Sequence, residues 1–201
     1  MRSFIFFLML HGTFLLSAHD RIAYLSNQGG NFDIYIMEEG INKAHRLTDN
    51  AGWDWNPKWI PGLKSILYYS NDSLRNFSIR MMTIKGKALP YQAKDFEEYI
   101  LSPDGQKVLY THAQGEFRYI SIYRIIDGSH EVLIQHPAYN GRPMWSPDSR
   151  TFSFLSDRSG NTELYLYQLE EGESKRLTNS EKREKYTSWH PDGKRIFYTY
   201  H

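Results

Sequence analysis

The 201-residue chain contains no cysteine. That absence removes disulfide bridges, thiolate zinc sites, a cysteine nucleophile and the lipid-bearing cysteine of a bacterial lipoprotein. Neither sign of charge is in excess: 24 Lys+Arg stand against 23 Asp+Glu, so the balance draws the chain to neither nucleic acid nor an anionic membrane. Catalytic signatures are missing too. There is no Gly-x-Ser-x-Gly elbow, no His-Glu-x-x-His helix, no phosphate loop and no dinucleotide fingerprint. The eight histidines are scattered, and Asp49, Asp54 and Asn56 lack the Asp-x-Asp-x-Asp-Gly spacing of a calcium loop. We expect no catalytic residues, no metal, no cofactor and no enzymatic activity.

Long apolar runs are also scarce. The one candidate is "MRSFIFFLMLHGTFLLSA" at residues 1–18, with Arg2 ahead of an apolar core and the small pair Ser17-Ala18 at its end. His11, Gly12 and Thr13 interrupt it, and it falls short of the ~20 residues a spanning helix needs. This is the layout of a secretory signal peptide. Cleavage near Ala18 leaves residues 19–201 as a neutral chain, periplasmic or secreted, without membrane insertion.

What the chain does have is aromatic residues, 15% of the total, and aromatics favour strands. It also has a repeat. Trp59-Ile60-Pro61, Leu101-Ser102-Pro103, Trp145-Ser146-Pro147 and Trp189-His190-Pro191 recur every 42 to 44 residues. Each proline opens a turn, "PGLK", "PDGQ", "PDSR" or "PDGK". There proline presets φ, aspartate bonds the nearby backbone and glycine accepts positive φ. Strands follow: "SILYYS", "KVLYTH", "TFSFLS" and "RIFYTY", with "RIAYLS" matching at the amino end. Their successive positions are largely apolar, which predicts strands covered on both faces. A second strand, a hairpin glycine (Gly40, Gly86, Gly128 and Gly172) and a short polar strand complete each unit.

A period of about 44 residues with four strands is the unit of a propeller blade. The expected fold is an all-β propeller of about four blades plus a partial fifth, forming a four-bladed or incomplete ring. Its repeats run at 21–59, 60–101, 102–145, 146–189 and, partially, 190–201. A second copy completing the ring is one expected assembly. Trp59, Trp145 and Trp189 are read as packing wedges between neighbouring sheets, the structural repeat core.

Trp145-Ser146-Pro147-Asp148, Ser156-Asp157-Arg158, Gly160-Asn161, Leu164-Tyr165 and Arg176-Leu177-Thr178 together resemble the TolB-type propeller repeat, a relative of WD-type repeats. Ser26-Asn27, Gly30-Asn31, Ile34-Tyr35 and Arg46-Leu47-Thr48 carry the same pattern. Similar repeats occur in the propellers of prolyl-oligopeptidase-type enzymes. The resemblance implies an exported, non-enzymatic scaffold that uses a propeller face to hold a protein or peptide partner in the cell envelope. It also leaves open the propeller part or remnant of a peptidase-like system, and a carbohydrate-active propeller similar to the oligogalacturonate lyases.

Shared residues build the blade, so function is sought where the repeats differ. Trp53 and Trp55 have as counterparts Asp95 and Glu97, Tyr139 and Gly141, and Arg183 and Lys185. With Asp54 between them they are placed on a loop between blades, as a protein-binding anchor of exposed aromatics beside a charge. Asp157-Arg158 reads as a hairpin ion pair or turn, and His190 as a turn residue.

The leader generates a direct prediction. Amino-terminal sequencing of the exported product should find a chain that begins near His19 and is soluble; Met1 on a membrane-bound chain would overturn it.

Overall fold

The computed structural model describes residues 21–38, 43–72, 76–94 and 96–201, all of them strands, turns or connections. The leader, Gly40 and Asp95 lie outside these residues. Among the described residues no helix is long and apolar enough to cross a membrane. The chain divides into two compact units.

The first unit holds two antiparallel sheets. β1 (Arg21–Ser26), β2 (Asp33–Glu38) and β3 (His45–Arg46) make a three-stranded one. β4 (Asp54–Trp59), β5 (Ser65–Asn71), β6 (Phe77–Thr83) and β7 (Ala88–Lys94) make a four-stranded one, ordered as in the chain. The second unit holds two more four-stranded sheets. These are β8 (Phe96–Leu101), β9 (Lys107–Gln114), β10 (Phe117–Arg124) and β11 (His130–Ile134), then β12 (Asn140–Trp145), β13 (Thr151–Ser156), β14 (Glu163–Gln168) and β15 (Glu173–Arg176). A two-stranded sheet of β16 (Glu184–Trp189) and β17 (Ile196–Tyr200) follows. These meander sheets are β-propeller blades. Each complete sheet starts with the strand before the proline turn, so a repeat counted from tryptophan to tryptophan crosses from one sheet into the next.

The turns show why the motif has its spelling. Ser146 Oγ donates to Asp148 Oδ1 (2.6 Å) and accepts from Thr151 N, while Asp148 Oδ1 also accepts from Arg150 N. Ser102 and Asp104 repeat the arrangement with Lys107 N and Gln106 N. The next position needs positive φ: Gly105 has φ 70° and Gly193 69°, and Ser149 adopts 60° in the same place. His190 occupies the serine position, its ring Nδ1 3.0 Å from Asp192 Oδ1. It is a turn residue, as expected. The Ser146 hydroxyl and the Arg150 N–H hold the Asp148 carboxyl below its ordinary range.

Among the described residues two hydrophobic clusters lie in the core. In the second unit Leu109, Ile120 and Ile122 of one sheet pack with Trp145, Phe152 and Phe154 of the next. The adjacent residues Val108 and Leu109 of β9, and Phe154 and Leu155 of β13, are all buried, which is why these sequences do not alternate. In the first unit Ile34, Ile36, Leu47, Ile66 and Tyr68 cluster, with Trp59 packed against them. β17 departs from the expected pattern: Phe197, Tyr198 and Tyr200 are exposed, because among the described residues no sheet packs over it.

The tryptophans join first strands. Trp145 Nε1 donates to the Ile100 carbonyl at 3.2 Å, and Trp189 Nε1 donates to the Met144 carbonyl at 3.0 Å. Each link therefore runs from one first strand to the one before it, at the same repeat position. Trp145 is buried, whereas Trp59 and Trp189 are half-buried. Truncating Trp145 to alanine removes a core ring and this bond. We expect a loss of about 3 to 5 kcal/mol, read by urea denaturation, and a variant that melts like the parent would exclude the wedge role.

Candidate functional site

The motif residues are engaged in holding strands and connections. Arg46 Nη2 meets the buried Asp33 carboxylate at 2.6 Å, and its Nε donates to the Thr48 carbonyl. Thr48 Oγ1 accepts from Ile34 N. Far along the chain Arg176 meets the buried Glu163 at 2.7 Å, its Nε donates to Thr178 O, and Thr178 Oγ1 accepts from Leu164 N. Burial pushes the Asp33 carboxyl up, with Arg46 offsetting only part of that. At Glu163 burial is outweighed by Thr178, Arg176 and the Ser180 N–H, which hold the carboxyl below its ordinary range. Asn31 reaches the carbonyls of Asn50 and Gly52, and Asn161 those of Ser180 and Lys182, so each amide holds the segment leading to the next sheet. Arg-Leu-Thr and Gly-Asn are joints, not catalytic groups.

Asp157 and Arg158 are not an ion pair. Asp157 Oδ1 accepts from Tyr139 N, capping the approach to β12. Arg158 lies over the Tyr165 ring (4.8 Å) and donates to Asn140 Oδ1 at 2.8 Å. Among the described residues no group of three or more His, Asp or Glu is placed to hold a metal ion. A cavity of about 660 Å³ in the first unit has Leu47, Tyr68, Arg80, Met81 and Met82 in its wall, and Trp53 and Trp55 do not line it.

The structure places Trp53, Asp54 and Trp55 in three different settings. Trp53 is 56% exposed, and its backbone is fixed by Asn71, whose Oδ1 accepts from Trp53 N and whose own N–H donates to Trp53 O. Trp55 lies in β4 and not on a loop, half-buried and stacked on Tyr69 at 5.4 Å with Phe77 edge-on at 5.7 Å. The Asn56-Pro57 pair that reads as a loop is absorbed by a bulge, where Asn56 takes φ 52° and the register to β5 shifts. Asp54 is fully buried, not a surface charge: its N–H donates to Phe32 O and its carboxylate accepts from Asn50 Nδ2. In its place the structure adds Phe32, edge-on to Trp53 at 5.7 Å, and Phe77, both exposed. Phe32 with Trp53, and Trp55 with Tyr69 and Phe77, are two aromatic groups whose tryptophans stand two residues apart in the chain, and they make up the aromatic face of the first unit.

A second group lies in the second unit, at the bulge of the first strands. The first strands shift register near the position three residues before the tryptophan: the shift falls at Asn56 in β4 and at Arg142 in β12, whereas in β8 and β16 it falls at Glu97 and Lys185, and Glu98 and Tyr186 keep their cross-strand partners. Glu98 Oε1 accepts from Arg142 N at 2.5 Å, and the Arg142 guanidinium lies over the Tyr186 ring at 4.5 Å. Tyr139 folds back over Gly141, where a Cβ would stand 2.5 Å from its hydroxyl. That ring lies beside Arg118, which is paired with Glu97. Arg142 itself has φ 54°, a conformation that costs a residue with a Cβ roughly 1 kcal/mol or more.

The model of the TolB beta propeller domain family matches residues 98–201, just over half of the chain. The chain belongs to the TolB β-propeller family. TolB from Acinetobacter baumannii superposes with a TM-score of 0.63 at 22% identity, over 89% of this chain and 46% of that one. An oligogalacturonate lyase from Vibrio parahaemolyticus gives 0.61 at 14% identity, over 90% and 56%. At such identities the likeness shows the fold alone. The uncharacterized peptidase YuxL of Bacillus subtilis is 33% identical over 105 residues, 49% of this chain and 16% of that protein. The chain therefore spans well under two thirds of the length of these relatives.

Reading the sequence missed Phe32, Phe77 and the row at Glu98, Arg142 and Tyr186. The signal available for the row was Asn-Pro-x-Trp and Arg-Pro-x-Trp at one offset, a proline where a first strand should run. The strain at Arg142 is testable. Arg142→Gly and Arg142→Ala remove the same side chain, yet only glycine is free of the left-handed penalty, so the glycine variant should be more stable by about 1 kcal/mol. Equal urea midpoints for the two variants would show that no strain is stored there.

Proposed function

We propose that this TolB-family chain is a non-enzymatic binding scaffold of the cell envelope, exported by its leader to the periplasm or outside, which holds a protein or peptide partner through residues that the repeats do not share. The observation carrying this reading is the aromatic face. Phe32 and Trp53 are exposed and in contact, yet their counterparts in the fourth repeat are Thr162 and Arg183. Blade building therefore does not require them. Exposed aromatics on a rigid backbone are the residues from which binding hot spots are made, because little entropy is lost when they are covered.

A second reading, the propeller portion of a peptidase-like system, rests on the match to YuxL. It differs in what the surface should hold: a hydrolase chain in place of an envelope partner.

The test uses Trp53→Ala and the Trp53→Ala, Trp55→Ala pair. Trp53 is exposed, so its removal should leave the melting curve unchanged while weakening capture of a partner from envelope extract. The expected loss is about 2 kcal/mol or more, roughly thirtyfold in affinity. Undiminished capture by the folded double variant would refute the face as the binding surface, and recovery of a hydrolase as the captured protein would favour the second reading.

A further inference from the structure

The geometry points to a carboxylate-binding site at Arg142, formed with Tyr139, Tyr186 and Glu98, that takes a carboxylate of a peptide. The site belongs to the second unit and does not depend on the aromatic face of the first.

Four observations converge there. The equivalent position of successive first strands carries Glu98, Arg142 and Tyr186, three unlike chemistries at one place in the repeat, so blade architecture does not dictate any of them. At this position the bulge turns the backbone, and arginine accepts a left-handed φ of 54° that its side chain disfavours. Glu98 holds that conformation by accepting the Arg142 N–H, which leaves the guanidinium without an acid: among the described residues Arg142 makes no ion pair, although it is exposed. The guanidinium is nonetheless positioned, with its face on the Tyr186 ring, next to Gly141, over which Tyr139 folds. The neighbouring Arg118 differs on this point, since Glu97 already neutralises it.

A guanidinium covered on its face still offers N–H groups along its edge. Such a fork matches the two oxygens of a planar carboxylate. Because the fork is already oriented, less side-chain freedom is lost on binding than for a free surface arginine. Glu98, engaged on the Arg142 backbone N–H, leaves a negative charge near the fork that repels a dianion more than a monoanion. That favours a single negative charge over a phosphate carrying nearly two. The exposed ring of Tyr186 offers a flat apolar side for the residue next to the carboxylate.

The carboxylate has two sources, an Asp or Glu side chain or the carboxyl terminus of a chain, and calorimetry at low salt with the full chain separates them. The probes are acetyl-Ala-Phe-Glu-Ala-amide against its Gln counterpart, and acetyl-Ala-Phe-Ala with a free carboxyl against its amide. At least one carboxylate peptide should bind about tenfold more tightly than its neutral twin, and the winning pair names the source. Arg142→Gln should abolish the preference, and Arg142→Lys should keep part of it. Should Arg142→Gln not fold, Tyr186→Leu, altered at an exposed ring, should weaken the preference severalfold. The proposal is overturned if neither carboxylate is preferred, or if a folded Arg142→Gln or Tyr186→Leu variant keeps the full preference. Tighter binding of a phosphoserine peptide than of the glutamate peptide would overturn the single-charge assignment.

Discussion

Each blade depends on holding a strand that the chain reaches only after leaving the previous blade. A meander sheet can pair its second, third and fourth strands by short hairpins, but its first strand arrives over a connection from the outer edge of the sheet before. The protein secures that arrival with buried polar joints. Asn31 and Asn161 grip the carbonyls of the connection, and the first residue of the incoming strand, Asp54 or Glu184, donates its N–H to the carbonyl of Phe32 or Thr162. The indoles of Trp145 and Trp189 then tie first strand to first strand. Buried amide and carboxylate groups are costly unless bonded, and here the bonds are what join one sheet to the next.

This constraint separates two sets of residues. Those that make the joints recur at Asn31 and Asn161, at Arg46 and Arg176, and at Thr48 and Thr178, because each trio has the same kind of strand to hold. Those beside the joints, exposed or half-buried, diverge: Trp53, Tyr139 and Arg183 occupy one position, and Asn56, Glu98, Arg142 and Tyr186 another. The joints also give the divergent side chains a rigid base. Asn71 and Asp157 fix the backbones of Trp53 and Tyr139 by the same pair of bonds, so different side chains stand on equivalent anchors. A scaffold of this kind can change its surface without altering its fold.

The blades were legible in the sequence because their turns and their apolar strands obey local rules. A Ser-Pro-Asp-Gly run specifies its own hydrogen bonds, and a tryptophan at a fixed interval marks a wedge. The site was legible only in part. Trp53 stands out as a break in the repeat, but "DWNPKW" reads as a loop because a proline argues against a strand, and only the bulge at Asn56 makes room for it. A charged residue between two tryptophans reads as exposed, whereas Asp54 is buried by bonds to residues outside its own strand. The row at Glu98, Arg142 and Tyr186 could be aligned by spacing, yet spacing is silent on which neighbours touch.

Hydrogen exchange on an Asn161→Ala variant tests the joint most directly. If the amide holds the incoming strand, the β16 amides from Glu184 to Trp189 should exchange about tenfold faster or more, while the β13 amides from Thr151 to Ser156 keep the protection of the parent. Unchanged exchange in β16, or a loss spread evenly over β12 to β16, would contradict the account.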